Sequence, residues 1–219
     1  MQLNADLSQP AIMHGNAIEW VPSPMTGVDR RMLERDGIEV ARATSIVRYA
    51  PGSSFSAHTH GGGEEFLVLD GVFSDETGDF PAGWYVRNPP SSRHVPASAP
   101  GAVILVKLRQ MPAVETSPLR IDTRDPALWH TPAPGFAEAT LFDAAWEQVS
   151  LLRLTPGYRG KSEIWPRGAE FFVIAGEVTI DTTSLSQHDW ARFPADSQLT
   201  LSSRTGALLY RKTGHLGRI

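Results

Sequence analysis

Slid along itself so that Gly52 falls on Gly157, a shift of 105 residues, the chain repeats its own pattern. Without a gap, Arg48 meets Arg153, Pro51 meets Pro156, Glu65 meets Glu170 and Phe66 meets Phe171. Val68 meets Val173, Gly71 meets Gly176, Arg87 meets Arg192, Pro89 meets Pro194 and Lys107 meets Lys212, while Gly101-Ala102 meets Gly206-Ala207. Upstream, Trp20, Pro24 and Gly27 are echoed by Trp129, Pro132 and Gly135 with a small change of register. A register that keeps glycines, prolines and an aromatic residue predicts one module written twice. The boundaries read as a first module over 1–111, a Pro-rich polar linker over 112–128, and a second module over 129–219.

Each copy consists of short apolar runs rich in Val, Ile, Phe and Tyr, bounded by turn residues. Candidate strands lie at 45–49, 65–69, 84–87 and 102–108, and Asp36-Gly37 reads as a tight hairpin between 31–35 and 38–42. Helical periodicity is scarce. The stretch 137–148 is the exception, readable as a helix or as a strand pair. The fold class expected is all-β, a sandwich or barrel.

Bulk properties narrow the function. A net charge of −4 offers no footprint for nucleic acid. No apolar run approaches the roughly 20 residues of a spanning helix, so no membrane role is expected. No secretory signal is visible in Met1–Leu7, and the cytoplasm is the expected location. Cysteine is absent, which removes disulfides and thiolate metal sites and leaves histidine and carboxylates as strong ligands.

Those ligands are concentrated in one place. His58-Thr-His60-Gly-Gly-Gly-Glu64 follows Gly52 and precedes an alternating apolar run, and His94 closes a second motif that begins at Gly83. Side chains two apart on a strand share a face, so His58 and His60 can reach one ion. The triple glycine lets the backbone turn sharply. Glu64 then opens the next strand, with Phe66 and Val68 on its face as candidate pocket walls and Glu65 turned away. Three imidazoles and one carboxylate suit a borderline divalent ion. His14, His130, His188 and His215 lack partner spacing and are read as ordinary surface or core residues, His215 in a frayed tail. In the second copy the four ligand positions become Glu163, Trp165, Ala169 and Leu199. One ion per chain is therefore expected, in the first module.

These motifs resemble the cupin superfamily, and the repeat resembles a bicupin. Residues 42–52, 58–76 and 83–94 are similar to the ChrR-like cupins, relatives of the C-terminal domain of the anti-sigma factor ChrR. The resemblance implies two tandem cupin barrels (double-stranded β-helix, jelly roll), the second degenerate and without a metal site. It implies a metal at His58, His60, Glu64 and His94, with zinc as the ion held in ChrR and Fe, Mn or Ni as alternatives. ChrR binds its sigma factor through a separate helical domain with its own His and Cys zinc site. This chain has no cysteine and no helical segment before Trp20, so sigma-factor binding is not carried over.

Three functions remain open on these grounds. The first is a small-molecule or oxidative-stress sensing module built on the metal. The second is a metal-dependent dioxygenase acting on a small apolar, ketone-like substrate. The third is a closed structural site. Arg48, Arg87 and Lys107 recur in both copies and read as structural ion-pair residues rather than catalytic ones. Ala102–Val106 is apolar on both faces, which needs cover, and a homodimer is expected.

Overall fold

The computed structural model describes residues 1–38 and 40–216. Among them there is no α-helix, and two 3₁₀ turns, Gly15–Ala17 and Pro126–Leu128, are the only helical elements. No helix is long and apolar enough to cross a membrane. The chain divides into two compact units. The first comprises Met1–Ala5 and Ile18–Arg124, and the second Asp6–Ala17 with the residues from Asp125 on.

In the first unit the main sheet runs Val28–Asp36, Arg42–Tyr49, Ala102–Leu108, Glu64–Asp75, Trp84–Asn88 and Leu119–Asp122, each antiparallel to the next. In the second the same order recurs as Phe136–Ala144, Glu147–Leu154, Ala207–Thr213, Ala169–Ile180, Trp190–Phe193 and Ala11–Met13. The offset of 105 carries three of these strands onto their counterparts at both ends: Arg42–Tyr49 onto Glu147–Leu154, Glu64–Asp75 onto Ala169–Ile180, and Ala102–Leu108 onto Ala207–Thr213. The stretch 137–148 falls on a strand pair, not a helix.

The two long strands each take part in two layers. The first half of Glu64–Asp75 lies in the main sheet, while its far end pairs with Gly78–Pro81. A bulge lies between. Its register shift falls between Val103 and Ile104 in the first unit and between Val173 and Ala175 in the second. Gly71 and Gly176 sit beyond it with φ of +70° and +77°, and a Cβ at either would collide with the carbonyl oxygen of Gly101 or Gly206. Glycine alone accepts both the dihedral and the close approach. The bulge reverses which side chains face inward. Phe66 and Val68 point into the core before it and Phe73 after it; Phe171 and Val173 precede it in the second unit, Val178 and Ile180 follow.

The opposite face of each main sheet buries charge. Arg87 is fully enclosed and bonds Glu65, with Glu115 at 2.8 and 2.6 Å, while Tyr85 donates to Glu65 at 2.9 Å. In the second unit Lys212 pairs with Glu147 at 3.0 Å and Trp190 donates to Glu170 at 2.6 Å. Arg48 stacks on Trp20 as Arg153 stacks on Trp129, at 4.5 and 4.1 Å from the ring centres.

Three boundaries differ from the sequence reading. Residues 112–128 are not a plain linker, since Leu119–Asp122 pairs with Trp84–Asn88 and Glu115 is buried against Arg87. Residues 6–17 leave the first module and join the second unit, where Ala11–Met13 pairs with Trp190–Phe193. The physical reason is common to both: each repeat ends its sheet on an open edge, and unpaired backbone takes up whatever strand lies outside the repeat. The hairpin after Asp36 is also looser than a two-residue turn, because Arg42 rather than Ile38 opens the returning strand.

Candidate metal centre

His58 lies on the short strand His58–Thr59, which pairs with Arg93–His94 so that His58 and His94 are direct cross-strand neighbours. His60 follows at the strand's end, held by its backbone N–H on the carbonyl of Ser92 at 2.9 Å. The glycine loop then returns the chain to Glu64. It is tightly roofed: a Cβ at Gly62 would stand 2.9 Å from the Arg109 backbone, and Gly63, at φ +77°, has the Met111 side chain in the space a Cβ would need.

The four predicted side chains converge, each offering one ligand atom within 4.8 Å of the others. His60, Glu64 and His94 are buried, and His58 is the most accessible. The three rings stand edge to face, with centres 4.6–4.9 Å apart. Nε2 of His58 and Nε2 of His60 are 3.0 Å apart. Glu64 Oε2 lies 3.5 Å from His60 Nε2 and 3.6 Å from His94 Nε2. Ligands at about 2.1 Å from one ion lie about 3 Å from each other when adjacent.

The outer nitrogens of two rings are committed elsewhere. His60 Nδ1 meets Ser92 Oγ and His94 Nδ1 meets Asp75 Oδ2, both at 3.2 Å. A proton held on Nδ1 leaves Nε2 as a bare lone pair aimed at the centre. His94 Nε2 is buried with no hydrogen-bond partner, as a ligand atom would be. Burial holds the His60 imidazole below its ordinary pKa, against the opposing pull of Glu64. Burial raises the Asp75 carboxyl, but hydrogen bonds from His94 and Thr77 outweigh it and keep the group below its usual range. Asn88 donates to Glu64 at 3.1 Å and accepts from Arg120 at 2.7 Å. The donor set, its tautomers and its outer partners all fit a divalent cation.

Sequence reading missed Asp75, Ser92, Asn88 and Arg120. Asn88 carried a signal, since the alternation that buries Val86 puts Asn88 on the same side. Asp75 carried none, because the bulge changes the parity of its strand.

A cavity of about 330 Å³ opens beside the imidazoles. Met25, Val28, Val47, Tyr49, Phe55, Val106 and Leu108 form its apolar walls, and Arg30, Arg35, Arg109, Ser45 and Thr59 its polar part. Phe66 and Val68, expected on these walls, lie instead in the core at 1% exposure. Burial, then the charge of Glu64, push the Tyr49 phenol above its ordinary pKa, so it stays protonated.

The other histidines lie outside the cluster. His14 pairs with Asp189 at 3.0 Å, and His188 stacks on Phe172. His130 is exposed on the strand Trp129–Ala133. His215 is not in a loose tail: its Nε2 meets the buried Glu170 at 3.0 Å. In the second unit Glu163 faces Leu199 in the register that His58 and His94 share in the first. Trp165, Ala169 and Leu199 pack into that unit's core.

Residues 8–112 match the profile of the ChrR Cupin-like domain. That stretch therefore carries a domain similar to the ChrR-like cupins. Solved structures agree in fold across nearly the whole chain. A Nostoc punctiforme protein provisionally named a dioxygenase matches at 16% identity and TM-score 0.78, covering 97% of this chain and 85% of its own. The pirin YhhW of Escherichia coli, in complex with nickel(II), matches at 13% identity and TM-score 0.71, covering 96% and 100%. The salicylate 1,2-dioxygenase of Pseudoaminobacter salicylatoxidans, solved as adducts with gentisate, matches at 15% and 0.68, covering 94% and 81%. No curated protein matches the chain significantly.

Proposed function

We propose that the first unit is a metal-dependent cupin enzyme of the dioxygenase type, holding one divalent ion on His58, His60, Glu64 and His94. The second unit is then a jelly roll of the same design that has lost its ion, so that the chain is a bicupin. One observation carries the enzymatic reading: His58, His60 and Glu64 of the cluster lie on the wall of a cavity large enough for a small organic molecule. A site meant only to brace the fold would be walled off by protein on every side, whereas four ligands beside a cavity leave two positions free on a six-coordinate ion. When bound, such an ion supplies Lewis acidity and open positions for substrate or O2.

The protein's own residues do the rest. Asp75 fixes the tautomer of His94, Ser92 positions the His60 ring, and the Asn88–Arg120 chain orients Glu64. Val47, Phe55, Val106 and Leu108 keep bulk water from the ligand, while the protonated Tyr49 phenol is available as a hydrogen-bond donor. A sensing role is the second reading, favoured by the match to the ChrR Cupin-like domain.

Cobalt(II) substitution tests the open site. Weak visible absorption that changes when small oxygen ligands are added is the expected result. The intense spectrum of a closed tetrahedral ion, indifferent to ligands, refutes the enzyme. Oxygen uptake by iron-loaded protein with small diketones and organic acids separates the two readings. Ligand binding without uptake, for every metal, leaves the sensor.

A further inference from the structure

Three guanidinium groups, those of Arg30, Arg35 and Arg109, line the cavity, and among the described residues Glu64 is the one acidic side chain that does so. An ion bound at the cluster would add further positive charge on the same wall. Arg30 and Arg35 are close enough that burial, and then the charge of Arg30, hold the Arg35 guanidinium below its ordinary pKa. Arg35 spends one N–H on the carbonyl of Ile38. The Arg30 side chain has no hydrogen-bond or ion-pair partner among the described residues, and its Nε is shut off from solvent.

The second unit shows how this fold neutralises charge at the same place. Arg30 lies opposite Val47 as Glu138 lies opposite Leu152, so Arg30 and Glu138 are equivalent in register. Val106 and Arg211 are likewise equivalent, facing Ser45 and Ser150. In the second unit Glu138 and Arg211 pair at 2.5 Å, and Ser150 donates to Glu138 at 2.7 Å. The first unit has an arginine at one of these positions and a valine at the other. Among the described residues that charge has no built-in answer.

We infer that the first unit's cavity takes a small organic anion. Its carboxylate would sit on the Arg30–Arg35 pair, where a guanidinium fork matches it. Its apolar body would lie along Val47, Phe55 and Val106, and an oxygen-bearing end would turn to the His58–His60–Glu64–His94 cluster. This deepens the reading above and rests on it only for the last of these contacts. It also replaces the neutral ketone-like substrate expected from sequence with a charged one.

Calorimetry on zinc-loaded, full-length protein with benzoate, benzamide and inorganic phosphate tests it, with zinc content measured on each sample. Benzoate is expected to bind about tenfold or more tightly than its neutral isostere. Arg30→Gln is expected to weaken benzoate about tenfold and leave benzamide unchanged, with partial recovery in Arg30→Lys. Val106→Glu, which supplies an internal partner in the manner of the second unit, is expected to abolish the preference without removing Arg30. Equal binding of benzoate and benzamide, no benzoate binding at millimolar concentration, an unaffected Arg30→Gln variant, or phosphate binding as tightly as benzoate would each overturn the inference. Zinc loss with benzoate preference retained would instead sink the metal reading and leave this one standing.

Discussion

In the first unit a two-stranded ribbon sets His58 against His94; in the second the same register sets Glu163 against Leu199. Around these pairs the strand order, the bulge glycines and the buried charge on the sheet's far face are kept. The inner face diverges. One unit gathers three imidazoles, a carboxylate and an arginine that has no partner among the described residues beside a cavity of about 330 Å³. Its counterpart has a cavity of about 170 Å³, and there Glu138 answers Arg211 while Trp165 stands under that same guanidinium. A repeated scaffold thus separates the strand order and bulge that the fold keeps from the inner-face residues that differ.

The largest effect should come from moving the ligands. Replacing His58 and His60 together by Ala is expected to remove the stoichiometric ion, whereas Glu163→Ala should leave metal content unchanged. Metal analysis that finds the ion retained after the double replacement breaks the comparison. The converse graft, Glu163→His, Trp165→His, Ala169→Glu and Leu199→His, should add a second equivalent of ion if it folds.

Where the units agree, they should fail alike. Arg87→Met takes the cation away from buried Glu65 and Glu115, and Lys212→Met takes it away from buried Glu147, so each should cost about 3–5 kcal/mol. Urea unfolding that shows either change to be neutral removes the structural role of the repeated cations. A smaller change is expected from Asp75→Asn, which disturbs the outer partner of His94 and should weaken metal binding by about 10–100-fold. Equilibrium dialysis giving unchanged affinity would mean that Asp75 does not orient the ring.

The smallest effect is one of pH. Burial lowers the folded-state pKa of His60, so the unfolded chain takes up its proton first. That contribution to metal-free stability is complete above the unfolded value of about 6.5 and is lost as pH falls toward the lower, folded value. Metal affinity should fall over the same range, since a ligating imidazole must be neutral. His60→Gln should flatten the thermal-stability profile relative to the parent between pH 7 and 5; parallel profiles would contradict this.

Much of the molecule could be read from its residues. Alternation and turn residues specify strands because a pleat has a period of two, and self-similarity revealed the repeated module. The cluster was legible because His58, His60 and Glu64 are neighbours in sequence and His94 closes a second recognisable motif. Other features depended on the assembled fold. A bulge reverses strand parity, so Asp75 and Phe73 could not be placed by counting. Open sheet edges capture strands from outside the repeat, which sent Ala11–Met13 to the second unit and drew Leu119–Asp122 into the first. The charge left over at Arg30 is a fact about three adjacent strands at once. Local patterns record what each residue prefers, but an absent partner is decided only when distant strands are laid side by side.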